Sequence, residues 1–454
     1  MTKTPDLSQI VKALVCAANG RTFASLKPWN YGWSQPDYRR CPTAAIVHDE
    51  DNSVTLQPEA VQGFEEAMRV LLQFQLIRRS YEEDELWSLV ASLVGTLSMQ
   101  ASPADLATAI ESGLKRILNP PDSLVVLPVA NIAQPLDIIE VGPLIIGPFA
   151  RLEKRIRTKT GRRPLTMEGN KPWWMPAPDA EPRTAANEPV LLAYTGCGQL
   201  GRATDDAEQA LEDLVSIALM LQPDLNALSL FSLRGDVNRP GTRGLVIDRQ
   251  SLFEMSTSAP QLKRELTSPV YVDGVLGPNL HWGWYSENPF PLEELLTRSD
   301  TRAAAEKILL GRTAILQRLR VAARWHGKAH WASDLSDAVL ALGISFDSML
   351  TEEGPSPGRV ISERFALLDP DPDQRRRRYR KFQGEYYAAR SAIAHGARGS
   401  SVAAELVRAM AQEARWVFRQ ILDLSQRLGI STEKEYNQMY ESLKWGESLG
   451  QTRS

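Results

Sequence analysis

Cysteine is scarce in this sequence, which has only three in 454 residues. Cys16, Cys41 and Cys197 lie far apart and form no CxxC pair, so neither a cysteine zinc site nor thiol exchange is predicted. No apolar run reaches about 18 residues, and the N-terminal apolar run is too short for a secretory signal. We therefore expect a soluble protein of the reducing cytoplasm that makes no use of the membrane.

An excess of positive charge is also missing. The formal net charge is -3 and the pI is about 6.1, whereas proteins that coat nucleic acid by bulk electrostatics are strongly basic. Any contact with nucleic acid must therefore be local. The hydrophobic share of 43% and the charged share of 24% are typical of ordinary globular proteins, which argues against a largely disordered chain.

The length and a shift in composition predict two domains. A chain of 454 residues exceeds what one hydrophobic core usually supports. Helix and strand patterns alternate up to residue 290, and beyond it alanine, leucine, arginine, glutamate and glutamine dominate without any strand pattern. We predict an α+β N-terminal domain over 1–290, with a sensing or regulatory role, and an all-α helical bundle over 291–448.

Within the first domain, apolar periodicity predicts helix between 58 and 118 and again over 205–221. A stretch rich in proline, arginine and glycine, 158–188, predicts a long surface loop. Strands are predicted where short β-branched segments are bounded by glycine or proline, namely at 123–129, 137–149, 189–196, 226–235, 244–248 and 269–274. The second of these segments is expected to fold back on itself at Gly142 and Pro143.

Six helices are predicted in the second domain, separated by glycine or proline. They cover 300–330, 335–352, 359–368, 373–394, 401–428 and 432–445. In the fourth helix, apolar residues recur at intervals of three and four, which predicts a buried stripe of Tyr379, Phe382, Tyr386, Ala389 and Ile393. This helix also carries the residues of greatest chemical interest.

Arg390 and His395 stand in RSAIAHG at the predicted end of that helix, with Gly396 as the expected left-handed stop. A histidine with an ordinary pKa near ~6.5 transfers protons at neutral pH. An arginine supplies fixed, planar donors for the negative charge that builds on phosphate oxygens during cleavage. The pair can therefore transfer a proton and stabilise a charged phosphate without a metal, so no metal and no cofactor are predicted.

The segment QGEYYAARSAIAHG resembles the signature of the HEPN superfamily, an arginine and a histidine separated by four to six residues on one helix of a bundle. It is most similar to the Apea-like branch, in which a tyrosine stands three residues before the arginine, a serine directly after it, and a glycine after the histidine. Tyr387, Ser391 and Gly396 match. That branch often has a glutamate on an earlier helix, where this chain has Asp347 in FDSML.

The resemblance covers roughly 300–428 and implies an all-α HEPN bundle that acts as an endoribonuclease. Arg390 and His395 would be the catalytic pair, with Ser391, Tyr387 and Asp347 in support. Similar proteins form homodimers in which two such pairs face one cleft, and they yield 2′,3′-cyclic phosphate and 5′-hydroxyl ends. Such proteins act in antiphage defence by abortive infection or as toxins, so we expect host or phage RNA as the substrate, with tRNA a natural candidate, and a phage-derived trigger.

The sequence leaves a non-catalytic hypothesis open beside the catalytic one. Arg390 can pair with a carboxylate such as Asp347 for purely structural reasons, while His395 caps the last turn, where the helix dipole favours a cation. The bundle would then be a non-catalytic dimerisation module, coupled to an N-terminal domain that binds a ligand or partner. The two hypotheses differ in whether Arg390 and His395 face a shared, accessible cleft.

A basic run precedes the catalytic pair on the same predicted helix. Six cations lie within about two turns, with Tyr379 between them: Arg375, Arg376, Arg377, Arg378, Arg380 and Lys381. Such a run attracts an RNA backbone. A solvated helix face with scattered acidic partners would have the same sequence, so both interpretations stay open.

Three other motifs give weaker evidence of a binding site. A GxGxxG string at 196–201 follows a predicted strand, yet the next helix is expected to begin only near Asp205, which favours an ordinary glycine-rich turn over a dinucleotide loop. His326 and His330 share one helical face but have no third ligand in view, which favours packing over metal binding. Trp29 and Trp33 are expected to anchor a loop rather than form a recognition surface.

Overall fold

The computed structural model describes most of the C-terminal part of the chain and several segments of the N-terminal part. These are residues 7–19, 21–24, 45–47, 53–56, 58–81, 105–119, 122–130, 132–160, 190–197, 200–222, 241–242, 290–332, 334–351, 357–395 and 402–446, with isolated positions between 83 and 94. The described residues are mostly helical. None of the helices among them combines the length and the apolar character needed to cross a membrane.

The first hydrophobic core lies between four N-terminal helices, α1 (Leu7–Asn19), α2 (Pro58–Leu71), α3 (Gln75–Ser80) and α4 (Leu106–Ile117). Helices α2, α3 and α4 confirm the helix predicted between 58 and 118, whereas α1 was not predicted. Three short strands form a small antiparallel sheet in the order β1-β3-β2: β1 (Arg21–Ala24), β2 (Ala45–Val47) and β3 (Ser53–Leu56). Trp29 and Trp33 lie outside the described residues.

A five-stranded antiparallel sheet has the order β5-β6-β7-β4-β8. Its strands are β4 (Asp122–Ala130), β5 (Ile139–Val141), β6 (Leu144–Pro148), β7 (Val190–Cys197) and β8 (Gly241–Thr242). The first four confirm the strands predicted at 123–129, 137–149 and 189–196. The predicted reversal between β5 and β6 occurs at Gly142, whose φ of 58° suits glycine. The strands predicted at 226–235, 244–248 and 269–274 lie outside the described residues.

Two helices accompany this sheet, α5 (Phe149–Thr160) and α6 (Leu200–Leu221). Helix α5 was not predicted and includes the first residues of the expected loop 158–188, the rest of which is outside the described part of the chain. The prediction that α6 begins near Asp205 was wrong by about one turn. The first turn is helical because Ala203 and Ala207 are both fully buried against the sheet, and this packing adds to the weak local start signal.

The described residues from 291 onward form helices and the short segments between them. The α-helices are α7 (Leu292–Leu296), α8 (Ser299–Leu310), α9 (Ala314–His330), α10 (Leu335–Leu350), α11 (Pro357–Leu367), α12 (Pro372–Lys381), α13 (Ala388–Ala394), α14 (Ala404–Leu428) and α15 (Glu433–Trp445). The prediction of one helix over 300–330 was wrong, because Thr313 caps the start of α9 by accepting a hydrogen bond from the Leu316 N–H at 3.4 Å. The other five predicted helices are confirmed to within a few residues.

A second hydrophobic core extends from the five-stranded sheet into these helices. It contains Val125 and Leu192 of the sheet, Leu214 of α6, and Phe346 and Phe418 of the helical part. Polar contacts join the same two parts, since the guanidinium of Arg302 donates two hydrogen bonds, of 2.9 and 2.6 Å, to the carbonyl oxygen of Glu140. The division at residue 290 therefore crosses a shared core, and the assignment of two domains stays a prediction.

Candidate active site

Arg390 and His395 lie on one continuous helical rod, formed by α12, a six-residue π-helix (Phe382–Tyr387) and α13. The start of the rod is capped. The Asp371 side chain accepts a hydrogen bond from the Asp373 N–H at 3.0 Å, and Pro372 occupies the first turn. The predicted helix over 373–394 is thus confirmed as a rod, but its π segment was not foreseen.

The π-helix holds two aromatic residues of the predicted stripe in the core. Phe382 and Tyr386 are buried, and the ring of Phe382 meets that of Phe346 edge to face at a centroid distance of 5.0 Å. A π turn contains one residue more than an α turn, which changes the direction in which all later side chains point. Tyr379, Ala389 and Ile393, the other members of the stripe, are half-buried. The π segment therefore sets the direction of Arg390.

Arg390 makes its closest described contact with Asp347 of α10. Its Nη2 atom lies 2.6 Å from Oδ2 of Asp347, and the side chains are 29% and 27% exposed. The aliphatic stem of Arg390 crosses Gly343, where a methyl group would approach its Cγ atom to 2.5 Å. The guanidinium also lies 5.7 Å from the ring centroid of Tyr387, a cation–π distance. Arg390 is thus held on three sides.

Burial and the charge of Arg390 have opposite effects on the pKa of Asp347. Burial raises the pKa of Asp347 above its ordinary value, and the positive charge of Arg390 partly opposes that rise. A small pocket of about 10 Å³, roughly the room for one water molecule, lies beside the pair and is lined by Gly343, Asp347, Phe382, Tyr386, Tyr387 and Arg390, among others. A guanidinium in a pocket walled by aromatic rings can receive an anionic oxygen.

His395 occupies the end of the rod. It is exposed, and its backbone N–H donates to the carbonyl oxygen of Ser391 at 3.0 Å. Ser391 is half-buried. Among the described residues of one chain, His395 is not part of the lining of the pocket beside Arg390. Gly396, the expected left-handed stop, lies outside the described residues. Within a single chain the two predicted catalytic side chains therefore do not line one pocket.

The basic run divides into two sets. Arg375, Arg378 and Lys381 turn toward the fold, whereas the other three cations are exposed. Arg378 pairs with Asp369 and, at 2.8 Å, with Glu413, and its guanidinium lies 3.9 Å above the ring centroid of Trp416. This division was not predicted: Asp369 precedes the helix by a turn of the chain, and Glu413 is 35 residues from Arg378 in sequence.

No protein-family model, curated protein or solved structure matches the chain. The site is therefore interpreted from its own residues.

The glycine-rich string at 196–201 joins β7 directly to α6. Strand β7 has antiparallel neighbours on both sides, β4 and β6, whereas a dinucleotide loop belongs to a parallel βαβ unit. The ring of Tyr194 also covers Gly196, where an added methyl group would overlap it. Gly198 lies outside the described residues. The architecture thus favours the ordinary turn for this string.

His326 and His330 are both fully buried in α9, with ring centroids 4.7 Å apart. Burial lowers the pKa of both: that of His330 falls to about 3, and that of His326 falls well below its ordinary value, with contributions from His330 and the nearby Arg415. The described residues contain no group of three side chains that could hold a metal ion. Packing, the interpretation favoured from the sequence, describes their environment.

Three features of the site were missed from the sequence: the π-helix, Gly343 and Gly358. A methyl group at Gly358 would overlap the ring of Tyr387, just as one at Gly343 would crowd Arg390. A glycine inside the apolar helix α10 was a signal that could have been used, since glycine disfavours a helix interior unless a neighbour approaches closely. Nothing in the local sequence indicates the π turn.

Proposed function

We propose that this protein is a metal-independent endoribonuclease of the HEPN type, with Arg390 and His395 as its catalytic pair. The observation that carries the proposal is the placement of Arg390, whose guanidinium is held by Asp347 (2.6 Å) and Tyr387 beside a small pocket lined by aromatic rings. An exposed histidine ends the same rod.

The chemistry requires two proton transfers. The 2′-hydroxyl loses its proton to one histidine and attacks phosphorus, and the 5′-oxygen of the next nucleotide leaves with a proton from a second histidine. The products are a 2′,3′-cyclic phosphate and a 5′-hydroxyl. Arg390 would stabilise the charge on the non-bridging oxygens. Because His395 and Arg390 do not line one pocket in a single chain, we propose a homodimer in which two pairs face a shared cleft.

Asp347 would act as a positioning residue. It accepts one hydrogen bond from Arg390, at Nη2, and a guanidinium has five N–H donors, so others remain for a phosphate. Tyr387 would support the guanidinium through its ring, and Ser391 through its position next to Arg390. The arrangement is therefore compatible with an arginine that is both paired and able to bind an anion.

In the cell we propose a role in antiphage defence through abortive infection, or as a toxin, by cleavage of host or phage RNA such as tRNA in the cytoplasm. An α+β N-terminal domain over 1–290 would restrain the ribonuclease until a phage-derived trigger is sensed. Support for this role comes from the resemblance of 383–396 to the Apea-like HEPN signature.

A second candidate function has an observation in its favour. The Arg390–Asp347 ion pair is what a purely structural arginine would form, and His395 stands apart from the pocket. The bundle would then serve only for dimerisation, with the N-terminal part binding a ligand or partner. This hypothesis predicts that loss of either side chain leaves cellular RNA unchanged.

The test compares wild type, Arg390→Ala and His395→Ala in bacteria with and without phage challenge, followed by sequencing of RNA with 5′-hydroxyl and cyclic-phosphate ends. Arg427→Ala is a matched control, because Arg427 is also a helical arginine paired with an aspartate, Asp423, at 3.0 Å, but is exposed on α14. Circular dichroism establishes that all four proteins are folded.

We expect discrete new RNA ends and growth arrest for wild type and Arg427→Ala, and neither for the two site variants. If all four proteins give the same ends under every challenge, catalysis by this pair is wrong and the dimerisation hypothesis replaces it. A monomer in light scattering at the assay concentration would contradict the shared cleft.

A further inference from the structure

The exposed face of the rod carries three arginines without a role in the fold. Arg376, Arg377 and Arg380 are exposed, and within the part of the chain that the structure describes they form no ion pair or hydrogen bond. The nearest acidic residue on the same helix, Asp373, is exposed and forms no ion pair with them among the described contacts. Their charge is therefore available to a partner.

The remaining three cations of α12 are neutralised or occupied. Arg378 lies between Asp369 and Glu413, and Lys381 lies 3.6 Å from Glu413. The guanidinium of Arg375 donates to the carbonyl oxygen of Asp369 at 2.8 Å and to that of Leu443 at 3.4 Å. These side chains tie α12 to the rest of the bundle and are poorly placed to bind an external polyanion.

The exposed face continues from the arginines toward the end of the rod. Gly384 and Ala388 are exposed between Arg380 and His395, and nothing lies within 4 Å of a methyl group built on Gly384. Gln383 and Glu385 are also exposed in this interval, so the open track from the arginines to His395 lies over Gly384 and Ala388. At about 1.5 Å per residue, Arg380 and His395 lie roughly 20 Å apart along the axis.

From this arrangement we infer that Arg376, Arg377 and Arg380 form a docking surface for the phosphate backbone of single-stranded RNA, which runs along the exposed face of the rod toward His395. Only three of the six cations predicted to bind RNA would do so. The inference rests on the proposed function, because RNA is the polyanion that function names. The inference also defines the path of the RNA strand, which lies along the rod from the three arginines to His395.

The chemistry of the face favours RNA over other polyanions. A helix that lies on a membrane surface needs large apolar side chains next to its cations. The exposed residues that follow the arginines, Gln383, Gly384, Glu385 and Ala388, include none. Arginine matches phosphate geometry through its planar set of donors. An acidic protein surface would not explain why the face ends at an exposed histidine.

The experiment measures binding without cleavage, in the full-length His395→Ala background. The test protein adds Arg376→Gln, Arg377→Gln and Arg380→Gln. The matched control adds Lys307→Gln, Arg312→Gln and Lys434→Gln, which remove the same charge from exposed positions on other elements. The probe is a fluorescein-labelled single-stranded RNA of about 20 nucleotides, longer than a typical single-strand binding site. Kd is measured by anisotropy between about 50 and 200 mM salt.

We expect the α12 triple variant to bind at least about tenfold more weakly at low salt, and its slope of log Kd against log salt to fall by about 2, since each lost single-strand contact removes about 0.7. The control triple should match the His395→Ala parent. Equal affinity and slope for both triples overturns the inference. So does a loss that affects vesicles of phosphatidylcholine and phosphatidylserine but not RNA. Because this assay involves no cleavage, its failure is distinct from a failure to find RNA ends in cells.

Discussion

At the scale of single residues, Gly343 determines where Arg390 can lie. Its missing side chain lets α10 receive the arginine stem, and a methyl group would meet Cγ of Arg390 at 2.5 Å. The carboxylate of Asp347, one turn further along α10, then receives the guanidinium. Position 343 is therefore as important to the site as the charged residues.

Gly343→Ala tests this placement. Alanine favours a helix interior over glycine by roughly 1 kcal/mol, so we expect the variant to fold and to keep its thermal stability within a few degrees. Displacement of Arg390 should lower the yield of cleaved RNA ends at least about tenfold, since a misplaced charge stabilises the transition state poorly. Wild-type yields from a folded Gly343→Ala protein would show that this contact is not required.

A second prediction concerns His326 and His330, which are buried beside Arg415. In the unfolded chain a histidine binds a proton below about pH 6.5, whereas burial lowers the pKa of folded His330 to about 3 and that of His326 in the same direction. The unfolded state therefore binds more protons as the pH falls. The free energy of unfolding should decline from about pH 6.5 downward, and the contribution of His330 to this loss is about 2 kcal/mol at pH 5.

Denaturant unfolding at about pH 7.5 and about pH 5 measures this loss. His330→Gln should reduce the difference in unfolding free energy between the two pH values by about 2 kcal/mol, and His326→Gln should reduce it as well, even where the variant is less stable at both. His395→Gln is the control, because His395 is exposed and should leave the difference unchanged. If all three variants lose stability as steeply as wild type, the buried pair is not its source.

At the scale of secondary structure, the π-helix is the feature that sequence patterns did not reveal. Phe382–Tyr387 contains one residue more per turn than an α-helix, and this changes the direction of α13 side chains by about 100°. The apolar pattern of the rod suits either geometry locally. Packing of Phe382 and Tyr386 against α10 and α11 selects the wider turn.

Deletion of Gly384 is the corresponding test, because this residue is exposed and has no neighbour within 4 Å of a built methyl group. The shortened turn can return to α geometry, and because it then has one residue fewer, the later side chains keep their direction and Arg390 still faces Asp347. We expect helical content and RNA cleavage both to persist. Loss of cleavage from a folded deletion variant would contradict this account of how the π turn positions the arginine.

Helix prediction itself succeeded where the apolar pattern and the stop signals agreed. The helices α10, α11, α14 and α15 lie within a few residues of their predicted bounds. The break between α8 and α9 was missed because apolar residues recur through it without a proline. Two local signals were available, Gly311 directly after α8 and Thr313, which caps α9.

At the scale of the whole molecule, the described residues form two hydrophobic cores. One involves α1 to α4 and includes Phe64, and the other extends from the five-stranded sheet to α15 and includes Phe418. Cores that share few contacts can open as separate cooperative units. The polar contacts of Arg302 and the common core tie the sheet to the helical bundle.

Phe64→Ala and Phe418→Ala, both at fully buried positions, distinguish one cooperative unit from two. Each substitution should cost about 3–5 kcal/mol. In hydrogen exchange, we expect Phe64→Ala to lower amide protection in Pro58–Leu71 and Leu106–Ile117 while that of Ala404–Leu428 stays unchanged, and Phe418→Ala to do the reverse. Equal losses in both regions for either variant would establish a single cooperative unit.

The sequence by itself determined the helical character of 291–448, most strands of the larger sheet, and the candidate pair Arg390 and His395, because periodicity and side-chain chemistry are local properties. Only the tertiary structure decided that Arg390 contacts Asp347 and crosses Gly343. It also decided which cations of α12 are occupied and which are exposed. These outcomes depend on side chains 30 to 50 residues apart in sequence, and only packing brings such residues together.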